Sequence, residues 1–215
     1  RWQRVTDTDY IVVSNRRVIE ITQEDDQVII HNTNMDDFKN IWENYFDLNT
    51  EYGPLKEELS KDDLLKQAIE FGYGIRLLNQ DPFEMVISFI ISARNSIPSI
   101  MKTIKKISEK FGDKIEYKGE VYHAFPTPEQ LKKATLEDIQ ETGASFRSKY
   151  IIDTIYNINR ALEAKKSGKL TDELKMYDLE YIMSLPTDEC HIALQAFKGV
   201  GAKVADCIML FSMGK

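Results

Sequence analysis

Hydrophobic and polar residues follow one pattern in the first part of the chain and another in the rest. Three short runs rich in β-branched residues, separated by polar turns, predict strands of an antiparallel meander over residues 10–13, 18–21 and 27–30. From Asp36 onward the apolar residues take a helical spacing, which continues almost throughout after Gly74. The pattern therefore predicts an α+β fold: a small N-terminal antiparallel β-sheet domain followed by a mainly α-helical domain.

Helix-start signals subdivide the helical part. Asp81, Pro82 and Glu84 supply an N-cap, a proline at the first helical position and a capping-box glutamate. The helix that begins there is expected to bury Phe83, Val86, Ile87, Ile90 and Ile91. A second helix, ending at Gly112, is expected to bury Ile97, Ile100, Met101, Ile104, Ile107 and Phe111.

The change of pattern also predicts a domain boundary. We expect an N-terminal β domain with a flanking helix over residues 1–72 and a helical domain over residues 73–215. A length of 215 residues allows one large or two small domains with a sizeable core. No internal repeat, low-complexity tract or long linker is present in the sequence.

Composition narrows the class of protein. Hydrophobic residues make up 42% of the chain and charged residues 29%, as in ordinary soluble proteins. No apolar run approaches the ~20 residues that a membrane span needs, and the sequence starts without a signal-peptide pattern. Two cysteines, Cys190 and Cys207, indicate neither a disulfide framework nor a zinc site. We therefore expect an intracellular protein with no membrane partner.

The charge is distributed unevenly. The net charge is −7; the first 70 residues carry 8 basic and 16 acidic side chains, a net of −8, and the remainder carries 20 and 19, a net of +1. A negative total argues against indiscriminate coating of DNA, but a nearly neutral remainder permits a local basic face. Charge alone leaves the function open.

The most informative segment lies near the end of the sequence. An amphipathic helix over residues 187–197 is predicted to run into Lys198, Gly199, Val200 and Gly201, and a second helix starts at once. Two glycines flanking Val200 predict a tight hairpin with free backbone N–H groups at a helix N-terminus, where phosphate binds. The sequence thus predicts a helix-hairpin-helix motif whose loop contacts DNA phosphates.

Lys203 lies in the first turn of the second predicted helix. A lysine is electrostatically disfavoured there, because its charge opposes the helix dipole. One interpretation is a solvated surface lysine. The other is a nucleophile, since the opposing field and partial burial favour the neutral amine, which can attack carbon. Its position favours the nucleophile.

These segments together resemble the 8-oxoguanine DNA glycosylase/lyase family. The matching motifs occur in the family's order and span essentially the whole chain: Arg1-Trp2, Tyr45-Phe-Asp-Leu48, Gln80-Asp-Pro-Phe-Glu84, Ser88-Phe-Ile-Ile-Ser92, Tyr122-His-Ala-Phe-Pro126 and Gly199-Val-Gly-Ala-Lys-Val-Ala-Asp-Cys207. The resemblance implies base-excision repair. Such an enzyme flips 8-oxoguanine out of damaged duplex DNA before removing it.

The resemblance also implies residue roles. Lys203 matches the lysine that attacks the sugar C1′, expels the base and forms a Schiff base, after which β-elimination nicks the strand. Cys207 matches the cysteine that packs against the flipped base, and it lies one helical turn from Lys203. Cys207 also suits an ordinary core as a small hydrophobe, and for Cys190 that is the only interpretation. No cofactor is expected except a monovalent cation at the hairpin, and we expect a DNA-associated monomer.

Departures from the family pattern concern the base opposite the lesion. Arg94, followed by Asn95, stands where the family has a gap-filling asparagine, and Ser99 stands where it has an arginine. Arg147 matches the other cytosine-reading arginine, and Phe146 the aromatic wedge, which is usually tyrosine. We therefore expect a relaxed preference for the opposite base; the alternative is that Arg94 and Phe146 are ordinary helix-flank residues.

Three further family features lie outside the sequence: the catalytic aspartate downstream of the hairpin, the glycine before Arg1 that reads the lesion, and the C-terminal residues that sandwich the base. The sequence resembles an internal portion of such an enzyme, so glycosylase activity of these residues alone stays open. Asp206 is expected to cap, pair or face solvent rather than replace the aspartate. Alternatives are a glycosylase for another purine lesion and a non-catalytic helix-hairpin-helix DNA-binding module, which would have no need of Lys203.

Overall fold

A four-stranded antiparallel sheet opens the computed structural model, which describes all residues from Arg1 to Lys215. Its strands follow one another in space as in sequence: β1 (Trp2–Arg4), β2 (Asp9–Ser14), β3 (Arg17–Glu24) and β4 (Gln27–His31). The three predicted strands are confirmed as β2, β3 and β4. The sequence pattern missed β1, because its three residues are all exposed and show no apolar alternation.

The register of this sheet is set by tight turns. Strands β2 and β3 pair from Asp9 opposite Thr22 to Ser14 opposite Arg17. The two residues between the strands, Asn15 and Arg16, have φ values of 49° and 58°, as a type I′ hairpin turn requires.

The rest of the chain is mainly helical, which confirms the α+β fold class. The α-helices are α1 (Met35–Asp37), α2 (Glu43–Tyr45), α3 (Tyr52–Leu59), α4 (Asp63–Phe71), α5 (Pro82–Ser92), α6 (Ile97–Phe111), α7 (Pro128–Leu131), α8 (Leu136–Ile139), α9 (Ser148–Lys166), α10 (Asp172–Lys175), α11 (Leu179–Ser184), α12 (Thr187–Leu194) and α13 (Ala202–Ser212). A hairpin of β5 (Lys114–Tyr117) and β6 (Glu120–His123) follows α6. No helix combines the length and the apolar character needed to cross a membrane.

The backbone forms two compact units. One comprises Arg1–Asn32 together with Gln80–Lys215, and the other comprises Thr33–Asn79. In the smaller unit Trp42 is fully buried, with Tyr45 edge-to-face at 5.6 Å between ring centroids. The two units are not separated at residue 72, where the sequence pattern predicts a domain boundary. Compact units of the backbone do not test a domain boundary, so that boundary stays a prediction.

Helix α5 is the centre of the helical core in the larger unit. The five apolar residues predicted to face inward on this helix are all buried, and α13 packs against it. The Asp81 side chain accepts a hydrogen bond from the Glu84 N–H at 2.8 Å, so the predicted N-cap is confirmed. The core therefore forms around α5 and presents α13 to the outside.

The predicted capping-box role of Glu84 is wrong. Its carboxylate is buried and accepts a hydrogen bond from Arg1 Nε at 3.0 Å. Burial raises the pKa of Glu84, and the Arg1 guanidinium opposes that rise. Because Arg1 also donates to Ser108 Oγ at 3.0 Å and to the His123 carbonyl at 2.7 Å, the pair ties β1 to the helical core.

The predicted burial of helix α6 is correct along only one stripe. Ile107 is fully buried, and Ile100 and Ile104 are half-buried, but Ile97 and Met101 are 72% and 61% exposed. Ile97 and Met101 are four residues apart and form an adjoining stripe that no neighbouring helix covers. The prediction was too wide because apolar spacing alone does not show where the packing partner ends.

The end of α6 at Gly112 is confirmed, although for a different reason from the one expected. Gly112 has φ −85°, which any residue can adopt. A Cβ atom at this position would lie 1.9 Å from the Ala124 carbonyl oxygen. Close approach of the backbone after β6, rather than a left-handed turn, therefore requires glycine here.

Candidate nucleic-acid interface at a helical hairpin

The predicted helix-hairpin-helix is present, formed by α12, a loop and α13. Helix α12 ends at Leu194, three residues before the predicted end. Val200 is buried between the helices, and its N–H donates to the Phe197 carbonyl at 3.0 Å. Gly199 has φ +88°, and a Cβ atom there would lie 2.8 Å from the Tyr150 ring. Gly199 is therefore required both by the backbone and by packing on α9.

The N-terminus of α13 is open to solvent. Gly201, the N-cap residue, is exposed and has no side chain to accept a hydrogen bond from the first turn. A Cβ atom on Gly201 would have no neighbour within 4 Å. The first-turn N–H groups and the positive end of the helix dipole are therefore accessible to an anion such as a DNA phosphate.

Lys203 lies in this exposed first turn. Its side chain is exposed, and no hydrogen bond or ion pair holds its ammonium group. The expected partial burial of Lys203 is therefore wrong for the protein without DNA. Cys207, one turn further along α13, is half-buried. The two side chains lie on neighbouring turns of one helix, as predicted, and their chemical roles stay predictions.

Cys190 has the purely structural environment expected of it. Its thiol is fully buried, 3.6 Å from Met213 Sδ. Burial raises the pKa of this thiol. Because a thiolate is the reactive form of cysteine, Cys190 is unsuited to nucleophilic chemistry.

Lys198, the second lysine of the hairpin, is held by α9. Its ammonium group lies 2.5 Å from Asp153 Oδ1, and this hydrogen bond raises the pKa of Lys198. The other Asp153 oxygen accepts from Asn157 at 3.2 Å. Lys198 must therefore exchange Asp153 for any phosphate that it binds, whereas Lys203 has no such competitor.

Arg147 connects α9 to the turn between α5 and α6. Its side chain is buried and donates from Nε to the Ala93 carbonyl at 2.8 Å and from Nη2 to the Arg94 carbonyl at 2.9 Å. Arg94 is exposed with φ +51°. Asn95 donates to the Ile91 carbonyl at 3.0 Å and accepts from the Ser96 N–H at 3.0 Å. In this state Arg147 and Asn95 bind backbone, while Arg94 is free to contact DNA.

Phe146 joins this turn to the hairpin. Its ring is 53% exposed and lies 4.5 Å from the Arg147 guanidinium carbon. It contacts Tyr150 edge-to-face at 6.3 Å, and Tyr150 in turn lies beneath Gly199. Direct contacts thus link the three elements that carry the predicted DNA-contact residues, although Arg147 and Val200 are themselves buried. Sequence reasoning missed Tyr150, although its position four residues after Phe146 places both rings on one helix face.

This geometry defines a helix-hairpin-helix protein, and comparison with known proteins agrees with that class. The family described as "8-oxoguanine DNA glycosylase, N-terminal domain" matches residues 1–86. The apo crystal structure of Clostridium acetobutylicum 8-oxoguanine glycosylase/lyase is 49% identical, with a TM-score of 0.88 over 100% of this chain and 70% of that one. The same protein in complex with duplex DNA containing cytosine opposite 8-oxoguanine gives a TM-score of 0.87 at 49% identity, over 100% and 69%.

A curated relative extends the comparison to eukaryotes. The N-glycosylase/DNA lyase of Saccharomyces cerevisiae is 36% identical over 146 residues, which are 65% of this chain and 37% of that protein. The match thus spans little more than a third of the yeast protein. The chain belongs to the 8-oxoguanine DNA glycosylase/lyase family.

Proposed function

We propose that the protein removes 8-oxoguanine from damaged duplex DNA by base excision and then nicks the strand as an AP lyase. The observation that carries this proposal is the environment of Lys203: an unpartnered amine in the first turn of α13, beside N–H groups that suit a phosphate. A module that only binds DNA needs the N–H groups but has no need of that amine.

The chemistry assigned to Lys203 follows from its amine. In the neutral form, the amine attacks C1′ of the flipped nucleotide, the bond from C1′ to the base breaks, and the base leaves with the bonding electron pair. The attached nitrogen loses one proton, and its lone pair then breaks the C1′–O4′ bond of the sugar ring; O4′ takes up a proton, and a protonated Schiff base remains between Lys203 and C1′. Removal of a C2′ proton then breaks the C3′–O bond, which cleaves the strand 3′ to the lesion. We assign Cys207 to contact with the flipped base, because it lies one turn further along the same helix.

The DNA itself is assigned to the surface built by the hairpin, Phe146 and the turn at Arg94. The loop from Lys198 to Gly201 would bind phosphates, Phe146 would wedge into the duplex beside the lesion, and Arg94 would stand in the space left by the flipped base. Arg94 and Asn95 would then contact the opposite strand. Arg147 reaches DNA only if it releases the backbone carbonyls that it binds in the free protein.

We also propose that the reaction needs no organic cofactor and that a monomer carries it out inside the cell, at DNA. The monovalent cation implied by the family resemblance would be held by backbone carbonyls of the loop between α12 and α13. Carbonyl oxygens suit hard cations; the Phe197 and Gly201 carbonyls already accept hydrogen bonds from Val200 and Ala205, so the carbonyls of the residues between them would hold the ion.

Borohydride trapping tests the function and its two alternatives. The protein in its native length is incubated with duplexes containing 8-oxoguanine, another purine lesion, or undamaged guanine. We expect a covalent adduct only with the 8-oxoguanine duplex, because borohydride reduces the Schiff base to a stable amine. An adduct only with the other lesion would identify a sibling glycosylase. Binding without any adduct would identify a DNA-binding module.

A weak preference for the base opposite the lesion is the second expected result. Arg94 and Ser99 replace two polar readers, and Arg147 is committed to the carbonyls of Ala93 and Arg94. Each lost base contact removes about 1–3 kcal/mol of discrimination. Single-turnover excision rates opposite cytosine, adenine, guanine and thymine should therefore agree within about threefold. A strong preference for cytosine would contradict this expectation.

A further inference from the structure

His191 links the two helices of the hairpin directly. It lies on α12, and its Nε2 atom is 3.1 Å from the Ala202 carbonyl oxygen and 3.1 Å from Asp206 Oδ1. A carbonyl and a carboxylate oxygen only accept hydrogen bonds, so Nε2 must carry a proton. One imidazole N–H therefore lies between two acceptors that both belong to the first turns of α13.

The other ring nitrogen completes the assignment. The Gln195 side-chain amide nitrogen lies 3.4 Å from His191 Nδ1 and donates to the His191 carbonyl at 3.2 Å. An amide nitrogen can only donate, so Nδ1 accepts. These neighbours together favour a ring with a proton on Nε2. The ring is therefore held in one orientation, with its donor directed at α13.

The two acceptors flank the proposed nucleophile. Ala202 immediately precedes Lys203, and Asp206 follows it by three residues on the next turn. Lys203 itself is exposed and has no partner. Gly199 and Gly201 make the connection between the helices conformationally permissive. The His191 contact therefore adds a direct side-chain link across the hairpin at the turn that carries Lys203.

From this geometry we propose that His191 is a positioning residue for Lys203. It holds the first turn of α13 through the Ala202 carbonyl and Asp206, so that the lysine amine is presented to C1′ at a fixed place. The proposal rests on the lyase function proposed above. It assigns His191 no contact with the reacting atoms and no proton transfer.

The test separates positioning from binding and from folding. Native-length wild-type protein, His191→Ala and His191→Gln are trapped with borohydride on a duplex that contains a preformed abasic site, at saturating DNA. Glutamine retains an N–H donor at a similar distance from the backbone, whereas alanine removes it. Glu189→Ala is the matched control, because Glu189 is an exposed residue of the same helix.

We expect His191→Ala to slow adduct formation at saturating duplex by about tenfold, since small misplacements of a reacting group carry penalties of this order. The dissociation constant for the duplex should stay within about twofold, because every N–H group that binds phosphate is retained and binding tolerates a small displacement that attack on C1′ does not. His191→Gln should recover most of the rate, and Glu189→Ala should match the wild type. General destabilisation of the fold would not lower only the rate of adduct formation at saturating duplex, and glutamine would not be expected to restore that rate.

Three outcomes would overturn the proposal, and they can be told apart. If wild-type protein forms the adduct and His191→Ala forms it equally fast, His191 has no positioning role and the lyase function stands. If His191→Gln is as slow as His191→Ala, the Nε2 donor is not the feature that matters. If wild-type protein forms no adduct, the lyase function fails and this role for His191 fails with it.

Discussion

Replacement of Lys203 by glutamine is expected to abolish the borohydride-trapped adduct, with a loss of at least about 10³-fold in the rate of strand nicking. Glutamine keeps a polar nitrogen near the end of a slightly shorter side chain but has no amine, so neither attack on C1′ nor a Schiff base is possible. Because Lys203 has no partner in the free protein, the substitution removes no intramolecular contact. Folding and duplex affinity should therefore be unchanged.

Lys198→Gln is the matched control for this experiment. Lys198 is also exposed and lies in the same hairpin, but it is paired with Asp153. We expect the Lys198 variant to form the adduct at the wild-type level when DNA is saturating, with weaker binding to the duplex. If the adduct is lost in Lys198→Gln and persists in Lys203→Gln, the nucleophile has been assigned to the wrong lysine.

Local signals were sufficient for the N-terminal strands and for the hairpin of the candidate site. The β-branched runs at residues 10–13, 18–21 and 27–30 are strands because alternation of side chains and tight turns are decided within a few residues. The pair of glycines around Val200 predicted the hairpin for the same reason. A positive φ at Gly199 and a buried Val200 are requirements of the loop itself.

Features that depend on distant neighbours could not be predicted. Glu84 has the spacing of a capping-box residue, but its carboxylate pairs with Arg1, 83 positions earlier in the chain. Ile97 and Met101 have the spacing of core residues, but no helix packs against their stripe. Arg147 binds two carbonyls of a turn more than 50 positions away. The contacts of each of these side chains depend on which distant segment packs against it, and the spacing of neighbouring residues does not show which segment that is.

His191 shows the same limit at the site itself. In the sequence it is an isolated histidine, eleven positions before the Ala202 carbonyl to which it hydrogen-bonds. The hairpin reverses the chain and places α12 and α13 side by side. Only in this arrangement can His191 on α12 form hydrogen bonds to α13. Sequence reasoning selected Lys203 as the candidate nucleophile and the loop around Val200 as the candidate phosphate site, and it missed the contacts of His191 across the hairpin.

The two hairpin glycines allow the structural and DNA-binding roles of the loop to be separated. At Gly199, alanine would adopt a left-handed backbone and its Cβ would lie 2.8 Å and 3.2 Å from Cδ2 and Cγ of Tyr150. These ring atoms are close to the α9 backbone and cannot swing away. We expect Gly199→Ala to lower the free energy of unfolding by about 3 kcal/mol, from backbone strain and overpacking together.

At Gly201 the same change meets nothing within 4 Å and requires no unusual backbone angle. The melting temperature of Gly201→Ala should therefore equal that of the wild type. Its methyl group, however, would project where a phosphate approaches the first-turn N–H groups of α13, and a displaced phosphate contact costs about tenfold in duplex affinity. Thermal denaturation and DNA titration of the two variants measure these effects separately. Unchanged duplex affinity in Gly201→Ala would show that the α13 N-terminus does not bind the DNA backbone. A changed affinity could not be attributed to unfolding, because the variant is expected to be as stable as the wild type.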